Sequence, residues 1–187
     1  AAAILHKIDP ESTMVVLPAD HRIEDRERFL NVLDGAAGLA DKSEALITIG
    51  IEPNRPETGY GYIQYDSADE SEAGDFSAYA VKNFTEKPDL EKAKSFVQSG
   101  DYVWNSGMFI WKTSAILKAF ENYLPEIYEL TRDLIQSDVT DEDVRKFYDA
   151  CPSISVDYGI MEKAENVRVI PAEFGWNDVG SWRSVHD

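Results

Sequence analysis

Short apolar runs alternate with stretches of helical periodicity along the whole chain, and this alternation constrains the fold more than any other feature. The apolar runs have the character expected of buried or half-buried strands. They cover residues 14–17, 45–51, 61–65, 79–84, 103–111 and 167–170. Strands that alternate with helices predict an α/β layer fold.

Helical periodicity is clearest over 25–39, where the apolar side chains share one face and Asp25 is placed to cap the first turn. A second helix is predicted after Pro88, with Asp89 as its N-cap. The stretch 113–150 is expected to form three short helices that contribute one buried apolar stripe.

Length, charge and cysteine content exclude several classes of protein. A chain of 187 residues without an evident domain boundary is predicted to be one domain, or most of one, over residues 1–187. The formal net charge of −17 argues against binding to a nucleic acid polymer or to an anionic membrane. Because Cys151 is the single cysteine, no intrachain disulfide can form, and a reducing cytoplasm is the expected location.

Two aspartates are placed to present a carboxylate at the end of a strand. Asp20 follows the apolar run 14–19, and Asp178 lies in a segment rich in glycine and tryptophan. Ligands of open α/β sheets collect beyond the carboxyl ends of strands, so both carboxylates could hold a divalent cation against a phosphate. His21, directly after Asp20, is interpreted as a structural histidine rather than a general base.

Three further segments have the residue types of a sugar-phosphate site. Gly59 and Gly61 flank Tyr60 and would let a ligand approach the backbone, although a plain turn is the alternative. Glu86 could accept two sugar hydroxyls and Lys87 could meet a phosphate, the alternative being an exposed strand end. In a further segment, Asn105 could both donate to and accept from hydroxyls, the alternative being a bulge.

Other polar segments are given structural interpretations. Residues 67–75 are predicted to form an acidic, solvated loop between two strands. Asp157 or Ser155 is expected to cap a short helix, and Glu162 to lie on the surface of that helix. Trp176 is expected to pack beside Asp178 rather than to contact a ligand.

Taken in order, six segments resemble bacterial mannose-1-phosphate guanylyltransferases over essentially the whole chain. They are Leu17-Pro18-Ala19-Asp20-His21, Thr58-Gly59-Tyr60-Gly61-Tyr62-Ile63, Phe84-Thr85-Glu86-Lys87-Pro88, Asn105-Ser106-Gly107-Met108-Phe109, Asp157-Tyr158-Gly159-Ile160-Met161-Glu162-Lys163 and Gly175-Trp176-Asn177-Asp178-Val179-Gly180-Ser181-Trp182. Related glucose-1-phosphate thymidylyltransferases usually have a different first motif and a different last one, so these forms favour the guanylyl branch.

The resemblance implies a Rossmann-like nucleotidyltransferase fold, with a mixed central sheet flanked by helices. It implies the transfer of GMP from GTP to mannose 1-phosphate, which gives GDP-mannose and pyrophosphate. By the same resemblance, Asp20 and Asp178 are the catalytic ligands of Mg²⁺, and Lys87 lies near the sugar phosphate. The mannose would be bound by Glu86, Asn105 and the turn made of Gly59, Tyr60 and Gly61. Such a site works by positioning and charge stabilisation.

One departure from the family pattern concerns the start of the chain. The family begins with a strand and a glycine-rich loop, carrying an arginine and later a Pro-Lys pair, which hold the triphosphate and guanine. No such loop precedes the first motif here. We therefore expect a fragment whose sheet lacks the N-terminal strand, with the sugar half of the site, little of the GTP half and no turnover by itself.

Two rival functions stay open on the sequence alone. The first is a nucleotidyltransferase for another hexose 1-phosphate or another nucleotide, because the base-selecting loop is absent. The second is a non-catalytic, regulatory homologue that binds a sugar phosphate, although two metal-binding aspartates are less needed in such a protein. Assembly into a homo-oligomer and the presence of a further domain are also left open.

Overall fold

The computed structural model describes residues 1–135 and 139–180. Its centre is a six-stranded mixed sheet with helices on both faces, so the α/β prediction is confirmed. The strands are β1 Thr13–Val16, β2 Arg22–Ile23, β3 Leu46–Ile51, β4 Tyr62–Ala73, β5 Phe76–Thr85, β6 Tyr102–Lys112, β7 Val167–Pro171 and β8 Trp176–Asn177. The helices are α1 Ala2–Ile8, α2 Arg26–Asp41, α3 Leu90–Ser99, α4 Thr113–Tyr123, α5 Pro125–Ile135 and α6 Asp141–Ala150.

The strand order of the large sheet is β1-β6-β3-β7-β5-β4, and the first residues of β4 also pair with β6. Strands β3 and β7 run parallel, whereas the other pairs of this sheet are antiparallel. Strands β2 and β8 form a separate two-stranded ladder beside the large sheet. All six predicted strands are therefore present, with ends that differ from the prediction by a few residues except in the hairpin of β4 and β5.

The two faces of the sheet are packed by different helices. Side chains of α1, α4 and the short π-helical turn Asp157–Met161 cover one face, where they form a cluster with Leu46 and Val169 of the sheet. Helix α2 covers the other face and packs on Ile47 and Ile110. Strands β3 to β7 of this sheet contribute side chains to the core on both faces, as expected when a sheet lies between helical layers, whereas β1 contributes to the first face.

The helix starts follow the sequence prediction closely. Asp25 caps α2 by accepting a hydrogen bond from Arg28 N at 3.0 Å, and Asp89 caps α3 by accepting one from Lys92 N at 2.9 Å. Three helices occupy the predicted stretch 113–150, although part of the break between the last two lies outside the described residues. No helix in the described part of the chain is long and apolar enough to cross a membrane.

The prediction of an acidic loop over residues 67–75 is wrong. Most of this stretch continues β4 to Ala73, and only a tight turn separates it from β5. Asp69 of this stretch pairs with Arg168 of β7 at 2.9 Å, and Asp66, just before the stretch, pairs with Lys82 of the neighbouring β5 at 3.1 Å. Opposite charges across a ladder let a strongly polar sequence remain in a strand, which its composition alone does not indicate.

Candidate functional site

A bulge in the middle of β6 shapes the candidate site. Thr48 of β3 lies opposite Phe109, whereas Gly50 lies opposite Asn105, so Ile49 alone spans the three residues between them. Gly107 has a φ of 72°, which favours glycine, and Ser106 Oγ donates to Ile49 O at 2.7 Å. The sequence left a bulge and a binding segment as alternatives for Asn105, and the structure makes this segment both a bulge and a cleft wall.

The bulge opens onto a cleft of about 200 Å³. Six of the residues that line the cleft were predicted as site residues from the sequence. They lie in β6, in the loop before β4, at the end of β5 and in the segment after β8. The cleft is lined by Pro18, His21, Gly59, Tyr60, Gly61, Glu86, Asn105, Ser106, Gly107, Asp157, Trp176 and Asp178.

The ladder of β2 and β8 brings the two predicted metal aspartates to the same end of this cleft. Arg22 pairs with Asn177 in the ladder, so Asp178 directly follows one strand while Asp20 lies two residues before the other. Both carboxylates act on His21: burial lowers the pKa of the imidazole, and the charges of Asp20 and Asp178 oppose that shift. Asp178 lines the cleft, whereas Asp20 is exposed beside it.

Tyr60 and Trp176 hold the Asp178 end of the cleft in place. The Tyr60 hydroxyl is hydrogen-bonded to Asp178, and its pKa is raised by burial first and then by this bond and the aspartate charge. The Tyr60 ring packs edge-on against the ring of Trp176, with 5.4 Å between the two ring centroids. Trp176 Nε1 donates to His21 Nδ1 at 2.9 Å, which agrees with a structural histidine. Trp176 therefore packs, as expected, and also lines the cleft.

Glu86 presents a buried carboxylate to the cleft. Its side chain is 8% exposed, Oε1 lies 3.1 Å from Lys87 Nζ, and Oε2 has no hydrogen-bond partner in the described part of the chain. Oε2 lies over Gly61, where an added Cβ would come within 2.5 Å of it. Burial raises the pKa of Glu86, although the ion pair with Lys87 opposes the shift. A buried acceptor without a partner favours a ligand that donates.

Asn105 contributes a fixed amide to the opposite wall. Its Oδ1 accepts from Thr48 Oγ1 at 2.9 Å and from Gly107 N at 3.2 Å, while its Nδ2 donates to Asp157 Oδ1 at 3.0 Å. Asp157 is half-buried, and burial raises the pKa of its carboxyl even though the hydrogen bond from Asn105 opposes the shift. The cleft therefore contains two carboxyls that burial favours in the protonated form, Glu86 and Asp157.

Comparison with known proteins places this arrangement in a family. A family model described as nucleotidyl transferase matches residues 1–187. The chain belongs to the nucleotidyl transferase family. It is 40% identical to a mannose-1-phosphate guanylyltransferase of Salmonella montevideo over 99% of this chain and 40% of the relative. It is also 40% identical to the alginate biosynthesis protein AlgA of Pseudomonas aeruginosa over 95% of this chain and 37% of that protein.

Two solved structures have a similar fold. The crystal structure described as mannose-1-phosphate geranyltransferase from Thermus thermophilus is 33% identical and superposes with a TM-score of 0.84 over 98% of this chain and 51% of that chain. One described as mannose-6-phosphate isomerase from Helicobacter pylori is 25% identical, with a TM-score of 0.77 over 94% of this chain and 68% of that chain. Among the curated relatives, the chain spans about 40% of the length of the guanylyltransferase of Salmonella montevideo.

Most of the predicted site residues converge on the cleft, with two exceptions. Gly59, Tyr60, Gly61, Glu86, Asn105 and Asp178 all line it. Lys87 does not: its side chain is 56% exposed and folds back onto Glu86, with a backbone φ of 47°. Asp20 stands at the rim, and its role as a metal ligand, like that of Asp178, stays a prediction. The end of the last motif, Ser181 and Trp182, lies outside the described residues.

One interpretation of a polar residue needs correction, a second needs an addition, and one residue was missed. Asp157 is the first residue of the π-helical turn rather than its cap. The alternative, Ser155, does accept a hydrogen bond at the start of this turn, from Tyr158 N at 3.4 Å, although the N-cap position is Val156. Glu162 is exposed, as expected, and it also has a specific contact, because Glu162 Oε1 accepts from Glu86 N at 2.9 Å. Thr48 was not recognised at all. Both Asp157 and Glu162 lie in a motif of the family, whereas no local pattern marks a threonine inside an apolar strand.

Proposed function

We propose that this chain is the sugar-phosphate-binding and metal-binding part of a mannose-1-phosphate guanylyltransferase. The reaction is the transfer of GMP from GTP to mannose 1-phosphate, which gives GDP-mannose and pyrophosphate. The observation that carries the proposal is the unpartnered Oε2 of Glu86, which is buried in a cleft that also contains Asn105 and Asp178. The similarity to named guanylyltransferases supports the choice of sugar and nucleotide.

Glu86 and Asn105 bind the sugar in this proposal. The Glu86 carboxylate accepts from a sugar hydroxyl, and the Asn105 amide donates to a sugar oxygen on the other side of the cleft. Gly61 leaves the space between them free of a side chain, since a Cβ there would approach Glu86 Oε2 and the Asn105 side chain, at 2.5 Å and 3.2 Å. Lys87 adds a positive charge at the mouth of an otherwise acidic site.

Asp20 and Asp178 have the chemistry expected for Mg²⁺. Magnesium takes hard oxygen ligands and is usually held by one or two carboxylates, with water and substrate phosphates completing its shell. The charges of both aspartates raise the pKa of the same imidazole, that of His21, against the effect of burial. No group of three or more acidic, histidine or cysteine side chains in residues 1–135 and 139–180 could hold a metal. In this proposal the protein supplies two carboxylates. When bound, Mg²⁺ would neutralise phosphate charge.

The reaction itself needs positioning more than proton transfer. An oxygen of mannose 1-phosphate attacks the α-phosphorus of GTP, the bond from that phosphorus to the bridging oxygen breaks, and pyrophosphate leaves. Glu86 and Asn105 hold the sugar so that its phosphate points toward Asp178, which lines the same cleft. The His21 imidazole, whose Nδ1 already accepts from Trp176, has its pKa lowered by burial and is not required as a base.

The test is calorimetric titration of mannose 1-phosphate into the 187-residue chain, with Mg²⁺ or with EDTA. We expect binding that requires Mg²⁺ and falls at least about tenfold in D178N and in D20N, because each loses one ligand charge. The control is D149N, which neutralises an exposed aspartate at the end of α6. Formation of GDP-mannose from GTP is followed in parallel in the longer protein that we expect to contain this chain. Equal binding with EDTA and in D178N would contradict the metal role.

A further inference from the structure

The side-chain amide of Asn105 is fixed in one orientation by a donor that cannot reverse its role. The two ends of an asparagine amide are distinguished by their hydrogen-bond partners. Gly107 N lies 3.2 Å from Asn105 Oδ1, and a backbone N–H can only donate, so this end of the amide must be the oxygen. The nitrogen end then faces Asp157 Oδ1 at 3.0 Å.

Thr48 provides the second donor to the same oxygen. Its single hydroxyl hydrogen has two acceptors within reach, and Asn105 Oδ1 at 2.9 Å is nearer than Met108 O at 3.1 Å. The side chain of Thr48 is completely buried in β3. Thr48 does not line the cleft, so it cannot contact a ligand there. Any influence of Thr48 on binding must therefore pass through Asn105 or through the shape of the bulge.

The hydrogen bonds within the protein leave the Asn105 amide with one free hydrogen-bonding group. A carbonyl oxygen accepts about two hydrogen bonds, and Thr48 and Gly107 occupy both positions on Oδ1. One hydrogen of Nδ2 is donated to Asp157, and the other has no partner in the described part of the chain. The amide that faces the cleft thus donates and does not accept, whereas the sequence suggested that it could do both.

We propose that Thr48 is a positioning residue of the sugar site, which makes Asn105 a donor only. This inference rests on the proposed function of the cleft and specifies its substrate class. The walls then offer one donor, at Asn105, and one unpartnered acceptor, at Glu86 Oε2. The fitting ligand carries a hydroxyl that donates to Glu86 and a second oxygen that accepts from Asn105. A hexose 1-phosphate carries such oxygens, and a deoxy sugar that lacks the donating hydroxyl is rejected.

The experiment compares T48V, T48S, N105A and the double variant T48V/N105A. Valine has nearly the shape of threonine but no hydroxyl, and serine keeps the hydroxyl without the methyl group. Mannose 1-phosphate is titrated with Mg²⁺ into each 187-residue variant, whose fold is checked by circular dichroism. We expect T48V to bind about tenfold more weakly than the unchanged chain and T48S to recover most of that loss. In the N105A background, T48V should have no further effect.

The outcomes separate this inference from the proposed function. If N105A binds mannose 1-phosphate as well as the unchanged chain, the cleft is not the sugar site and the proposed function fails. If N105A weakens binding but T48V does not, the positioning role of Thr48 is wrong while the proposed function stands. The same conclusion follows if the losses in T48V and N105A are additive in the double variant.

A measurement on the unchanged chain keeps the inference testable even if T48V does not fold. The two Nδ2 hydrogens of Asn105 give separate signals in a ¹⁵N correlation spectrum, because rotation about the amide C–N bond is slow. We expect the signal of the hydrogen facing Asp157 to stay in place when mannose 1-phosphate is added, and the other to shift. Equal shifts of both signals, or a shift only of the hydrogen facing Asp157, would overturn the fixed orientation.

Discussion

The carboxylates at the helix starts and the carboxylates in the cleft are the same chemical groups in opposite settings. Asp25 and Asp89 are exposed, and each accepts a hydrogen bond from the backbone of a first helical turn. Glu86 and Asp157 lie inside the cleft, where burial raises the pKa of both. The first pair stabilises the fold by satisfying free N–H groups. The second pair is costly to ionise, which is the pattern expected of carboxyls in a functional site.

The largest expected effect is the difference in stability between alanine substitutions at two glycines of α2, one in close contact with backbone and one with open space beside it. A Cβ on Gly35 would lie 2.2 Å from Ala73 O in the hairpin of β4 and β5, whereas a Cβ on Gly38 would meet nothing within 4 Å. We expect G35A to destabilise the chain by about 3 kcal/mol, because backbone must move, and G38A to stabilise it by up to about 1 kcal/mol. Urea denaturation of both variants measures the difference. Equal stabilities would show that α2 does not touch the hairpin.

The cleft responds differently to the same change. In G61A the added Cβ would lie 2.5 Å from Glu86 Oε2, the far end of a side chain that can move away. We expect the melting temperature to change little and the affinity for mannose 1-phosphate to fall at least about tenfold, because the acceptor is displaced. G38A serves as the control for a glycine-to-alanine change outside the cleft. A stable G61A that binds normally would remove Glu86 from the sugar site.

Neutralising Glu86 should separate stability from binding. Its folded-state pKa is raised, so its contribution to stability is fully present below the unfolded-state pKa and is lost as the pH rises through the folded value. We therefore expect E86Q to melt at a higher temperature than the unchanged chain at pH 7, with a difference that shrinks toward about pH 4. Its affinity for mannose 1-phosphate should fall about tenfold.

The control for E86Q is E165Q, which changes an exposed glutamate in the turn before β7. That variant should alter neither the melting temperature nor the binding by a measurable amount, since surface substitutions of this kind have small effects. A lower melting temperature of E86Q at pH 7 would mean that the ion pair with Lys87 outweighs burial, and the contrast with the helix caps would disappear.

The smallest effect is expected at the cap of α3. D89A removes the acceptor for Lys92 N and should lower the free energy of unfolding by about 1 kcal/mol, whereas D89N keeps an acceptor and should lose less. Neither change should affect the titration with mannose 1-phosphate, because Asp89 does not line the cleft. A loss of binding in D89A would extend the functional region into α3.

The sequence alone determined the features that depend on near neighbours. Periodicity or contacts a few residues apart set the strands, the caps Asp25 and Asp89 and the family motifs. The structure confirmed the strands and the caps, and the family model confirmed the family. The motifs also identified six of the residues that line the cleft, because each motif is local even when the site is not.

Only the tertiary structure decided which polar groups are buried and which partners they have. It placed most of the acidic stretch 67–75 in β4 by pairing it with β5, and it brought Asp69 to Arg168, which is 99 residues away. It also joined Thr48 to Asn105 across 57 residues, and thereby gave the amide one orientation. Burial and hydrogen-bond direction depend on atoms from distant segments that meet only when the sheet has formed, so no local pattern of residues can specify them.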